Sequence, residues 1–137
     1  MGAFDGALSA SRYSLTTDGV EIASFGQLGE LRSAEIVLDA AGKPVAGAPR
    51  PRVVLLRGWS AATELWSWHQ AAVSGSPAGR RSCTLVGYGS DGKPVAKYWL
   101  EKAFPVRLDM GPVTGTSPQQ LAETLTLSCD TLQRLAP

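Results

Sequence analysis

Few residues in this sequence could carry chemistry, and their spacing argues against it. The only histidine, His69, lies between Trp68 and Gln70, with no carboxylate or cysteine at triad or metal-ligand spacing. We therefore expect it to be a packing or surface residue. Cys83 and Cys129 are the only cysteines, too few for a zinc site or a disulfide framework. They read as two reduced, half-buried small side chains on strands. The glycine-rich run Gly87–Gly92 (GYGSDG) leads from one extended segment into another. A phosphate-binding loop would open onto a helix N-terminus instead. Asp39, Asp91 and Asp109 sit in or near turns, where aspartate serves the backbone, and no carboxylate cluster suggests calcium. Catalytic, cofactor-binding and metal-binding residues are thus all expected to be absent.

Four tryptophans remain. Trp59, Trp66 and Trp68 cluster around one segment, and Trp99 stands in an extended run. A base- or sugar-binding platform would set exposed aromatics among basic residues. Packing a helix onto a sheet calls for large apolar side chains, and that is the role expected of Trp59, Leu65, Trp66 and Trp68.

These residues need elements to hold them. Most of the chain alternates with period two. Ser11–Thr17 and Val20–Phe25 flank Asp18-Gly19, a strong hairpin signal. Glu30–Leu38 reads as another extended run, with Leu31 and Ile36 among its apolar positions. Asp39–Pro51 (DAAGKPVAGAPRP) has three prolines, which remove backbone donors, so it reads as an exposed excursion. Arg52–Arg57 is a short apolar strand. The single helix is expected at about Ala61–Val73, with Ser60 as N-cap, Leu65, Trp66, Trp68 and Ala72 as its stripe, and Gly75 and Pro77 as its stop.

Strands resume at Arg81–Tyr88, turn at Asp91-Gly92, and continue through Val95–Phe104. Pro105 breaks or bulges that run before Val106–Met110, and Gly111–Pro118 reads as loop. Leu121, Glu123, Leu125, Leu127 and Cys129 then alternate with Ala122, Thr124, Thr126 and Ser128. The expected fold is mainly β, an antiparallel barrel or sandwich with one packed helix.

Composition limits the rest. A chain of 137 residues suits one domain spanning 1–137, burying roughly 68–70% of its unfolded surface. Hydrophobic residues make up 44%, which excludes a disordered chain. Thirteen basic against twelve acidic residues leave a formal charge of +1. No nucleic-acid or anionic-membrane footprint follows from that balance. Residues 1–11 lack a basic start and an apolar run, so no signal peptide is expected, and no stretch is apolar enough to span a bilayer.

The ordered segments resemble the tail tube proteins of contractile phage tails and of extracellular contractile injection systems. YSLTTDGVEIASFGQLGEL (Tyr13–Leu31) is similar to that family's opening hairpin. LLRGWSAATELWSWHQ (Leu55–Gln70) resembles its strand-to-helix junction, an R-G followed by L-W-x-W. RRSCTLVGYGSDGKPVAKYWLEKAFPVRL (Arg80–Leu108) and AETLTLSCDTL (Ala122–Leu132) resemble its later hairpin and closing strand.

The resemblance implies a non-enzymatic structural subunit forming homo-hexameric rings that stack into a hollow tube. Its implied partners are itself, the sheath and baseplate proteins of the same particle, and cargo in the lumen. It also implies assembly in the cytoplasm and a place in a phage-tail-like particle. The family's excursion before the R-G strand is usually longer and touches the neighbouring ring. The stiff residues Lys43, Pro44, Val45 and Pro49 are the expected contact here. Two alternatives stand beside this reading: a tube-initiating or baseplate-proximal ring, and a monomeric β-barrel binding a small ligand.

Overall fold

The computed structural model describes residues 9–58, 60–112 and 121–137. Eight strands and one helix follow in the order β1 (Arg12–Thr17), β2 (Val20–Phe25), β3 (Gln27–Arg32), β4 (Arg52–Gly58), α1 (Glu64–Val73), β5 (Arg81–Tyr88), β6 (Pro94–Pro112), β7 (Leu121–Ser128) and β8 (Thr131–Leu135). All pairings are antiparallel. The first turn follows from its two residues. Asp18 at φ 50° and Gly19 at φ 78° make the primed turn that matches strand twist. Thr17 is thereby set opposite Val20.

The sheet runs β2-β1-β5-β6-β7-β4-β3, with β8 also on β6. Strand β6, 19 residues long, holds the two halves together. Its first half pairs with β5 and β8, and its second half pairs with β7. Between them Lys102 adopts φ 52°, and the register slips between Pro105 and Arg107. That bulge lets one strand turn a corner without losing its ladder. The two halves fold over a core of Leu15, Phe25, Val53, Leu55, Leu85, Leu100, Leu125 and Leu127, all fully buried. The fold is thus mainly antiparallel β with one packed helix.

The helix lies against β6. Leu65 and Trp68 are buried beneath it, and the Trp68 Nε1–H donates to Gly79 O at 2.8 Å. Gly79 sits so close that a Cβ there would stand 2.5 Å from Ala72 Cα. At the far end Gly75, at φ 75°, closes the helix. Its N–H reaches Ala72 O and that of Ser76 reaches Ala71 O.

Several expectations need correction. The helix begins at Glu64, not near residue 61. The Ser60 hydroxyl accepts from Ala62 N in the approach loop and does not cap the helix. Trp66 is 55% exposed. It lies one residue, about 100°, around the helix from Leu65, and that rotation turns it off the packed face. Trp59 lies outside the described residues. The run expected through Leu38 pairs only as far as Arg32. At the other end, Gly111 and Pro112 belong to β6, opposite Ala122 and Leu121, while residues 113–118 lie outside the described part. Asp109 is in β6 and not a turn, and its carboxylate meets Arg107 at 2.7 Å.

Candidate assembly surfaces

The residues with chemical potential are used internally. His69 is half-buried, and its Nδ1 lies 3.0 Å from Pro105 O. A carbonyl can only accept, so Nδ1 carries the proton and ties the helix to the bulge of β6. Among the described residues no group of His, Cys, Asp and Glu could hold a metal. An open groove is lined by Thr16, Asp18, Arg80, Arg81, Ser82, Thr84, Lys97 and Trp99, a mainly basic and hydroxyl lining without histidine or cysteine. Among the described residues no helix is long and apolar enough to cross a membrane.

Both cysteines are fully buried, not half-buried, and free. Desolvation of the thiolate, opposed by Arg81, pushes the Cys83 thiol up to about 12. Desolvation, helped by Asp130, pushes the Cys129 thiol up to about 11. The folded chain therefore holds these protons to higher pH than the unfolded chain, whose thiols titrate near 9.0. The stability they contribute is fully present below pH 9.0 and is lost as pH rises through about 11 and then about 12. Melting followed from pH 8 to pH 11 should fall less steeply in a Cys83→Ala/Cys129→Ala variant than in the parent. Parallel curves would contradict this.

The chain between β3 and β4 forms a protruding arm, residues 33–51, which exposes Ile36, Val37, Leu38 and Val45. Leu38 bridges Pro44, and Val45 N donates to Val37 O at 2.8 Å. Its turn is built by Asp39, whose Oδ1 accepts from Ala41 N and Lys43 N, with Gly42 at φ 80°. At its base, Glu35 N donates to Pro49 O at 3.4 Å and Arg50 meets Asp130 at 3.0 Å. The arm is thus preformed, yet Ile36 is 73%, Leu38 56% and Val45 39% exposed. Lys43, Pro44 and Val45 lie at or beside the turn and Pro49 at the base. The sequence reading missed Ile36, Val37 and Leu38. Their strand-like composition hid them.

Two further surfaces complete the picture. Strands β2 and β8 flank β1, β5 and the first half of β6, and each pairs on one side only among the described residues. Opposite the arm, where β4 ends, Trp66, Leu108 and Met110 line a hollow of about 280 Å³. Beneath it, Arg57 donates from Nε and Nη2 to Glu123 Oε1 at 3.1 and 2.9 Å, both side chains nearly buried. Sequence reasoning quoted both residues in motifs but did not pair them.

Solved structures share this fold. A chain of the six-fold symmetrised anti-feeding prophage baseplate aligns over 95% of this chain and 95% of its own, with 21% identity and a TM-score of 0.62. A chain of the PVC sheath–tube complex, an extracellular contractile injection system, covers 95% and 92%, with 16% identity and a TM-score of 0.63. Hcp1 from Flavobacterium johnsoniae covers 89% and 93%, with 17% identity and a TM-score of 0.61. No curated protein matches this chain. The model of the T4-like virus tail tube protein gp19 family matches residues 12–133. That span takes in the helix and strands β1–β7 whole. A β-fold that keeps its chemical groups for packing and its apolar exposure for contact therefore belongs to this tail tube family.

Proposed function

We propose that this subunit closes into homo-hexameric rings, and that the arm, residues 33–51, joins each ring to the next in a hollow tube. The observation that carries this is the arm itself, a stiff hairpin with its apolar side chains in water. A monomer gains nothing from such exposure, whereas a preformed segment loses little entropy when it docks. Ring closure uses the two unlike edges β2 and β8, where Val20 and Leu135 are exposed. Head-to-tail pairing of unlike edges closes a ring and covers both of those edges. The six-fold symmetry of the similar anti-feeding prophage baseplate supports six as the number.

Assembly with sheath and baseplate proteins of the same particle is supported by the similar chains found in such complexes. The lumen passes cargo, and the subunit itself performs no catalysis. It assembles in the cytoplasm and then forms part of a phage-tail-like particle.

Replacing Lys43–Ala48 with a Gly/Ser linker of equal length tests the arm. Single rings should still form, because the sheet edges are untouched, while negative-stain images should show no stacked tubes. Tubes of parental length would reduce the arm to a passive connection.

A further inference from the structure

We propose that the hollow beside Trp66 is the receptor for the arm of a copy in the adjacent ring. This rests on the arm being the contact between rings, and it adds where that arm lands.

Strand register carries the argument. The arm leaves at Arg32 and returns at Arg52, which are paired with each other, and Arg52 also pairs with Ser128. The hollow lies at the other end of the same strands, where Gly58 pairs with Ala122 and Met110 with Glu123. The length of β4 separates them, roughly 20 Å at about 3.3 Å per residue. One subunit thus presents a projecting apolar hairpin at one end and an apolar recess at the other.

Unlike surfaces at opposite ends have a definite consequence for stacking. A ring that met its neighbour through like surfaces would stop at a pair. A ring that offers arms on one face and recesses on the other adds further rings without limit. The fit is chemical as well. Trp66 is 55% and Met110 47% exposed around the recess, and an accessible tryptophan beside an apolar recess is a characteristic anchor of protein contacts. Leu38 and Pro44, facing each other across the arm, supply the apolar insert. Lys43 at the arm's turn and Glu64 in the first turn of the helix make no ion pair among the described residues. They are of opposite sign and can meet at the rim.

The test uses Leu38→Cys and Trp66→Cys, singly and together, in the full chain. Cys83 and Cys129 are buried and leave the background clean. Mild oxidation of assembled tubes should give a ladder of covalent multimers only in the double variant, because each copy is both donor and receptor. Trp66→Ala should leave rings intact and raise the ring concentration needed for stacking about tenfold or more, the loss expected of an anchor residue. Tubes that assemble but show no ladder overturn this assignment while leaving the tube reading standing. Trp66→Ala tubes of parental length that fail only to recruit sheath would give the recess to the sheath and also overturn it. Absence of rings from the parent protein would instead overturn the ring reading beneath it.

Discussion

Trp68→Ala is expected to cost about 3–5 kcal/mol of folding stability, the range for deleting a buried aromatic side chain. The indole is 1% exposed, between the helix and the sheet. Its surroundings have little freedom to close over the space it would leave. The helix is tied down at His69 by Pro105 O, and Gly79 already touches the Ala72 backbone as closely as it can. The substitution also strips Gly79 O of the indole N–H donated at 2.8 Å, leaving a carbonyl to be satisfied elsewhere. Trp66→Ala is the internal control. Its ring is mostly in solvent, so the change should stay within about 0.5 kcal/mol. Urea unfolding of both variants separates them. A Trp68→Ala loss below about 1 kcal/mol would mean that the helix is not packed through this residue.

The contrast between these two tryptophans shows what one-dimensional reading could and could not extract. Strand β7 was legible because Leu125 and Leu127 alternate strictly with Thr124, Thr126 and Ser128, and a half-buried strand imposes that period, whereas β8 after it was not anticipated. The hairpin at Asp18-Gly19 was legible because few residue pairs accept positive φ twice in succession. Trp66 was misplaced because a dense aromatic cluster hides its own phase. Leu65 and Trp68 are three positions apart and share one face, whereas Trp66 lies about 100° around the helix from Leu65 and about 160° from Trp68. The arm was legible from residue 39 onward through its prolines. Its first limb was not, since Ile36, Val37 and Leu38 have the composition of a strand and only tertiary pairing shows that they leave the sheet. The hollow beside Trp66 draws on α1 and β6 together, which no spacing along the chain announces.

Glu123→Ala is expected to be as damaging as the loss of Trp68, at about 3–5 kcal/mol, because it abandons a charge where water scarcely reaches. Register brings Arg57 on β4 opposite Glu123 on β7. The guanidinium gives two hydrogen bonds to one carboxylate oxygen, with its side chain 12% exposed and that of Glu123 only 6%. The Phe25 ring, 5.8 Å from the guanidinium carbon, adds a further favourable contact for the cation. None of this makes the pair a net source of stability, since both charges were desolvated to form it. The asymmetry between breaking and replacing the pair is the expected signature. An Arg57→Met/Glu123→Leu variant should recover most of the loss, because no buried charge is left behind. A double-mutant cycle over Arg57→Met and Glu123→Leu should show coupling within about 0.5–3 kcal/mol. The pair also fixes the end of β4 and β7 that floors the hollow beside Trp66. Folded Glu123→Ala should therefore stack less well than the double replacement at equal ring concentration. Additive single losses, each under about 1 kcal/mol, would show that Arg57 reaches water without its partner.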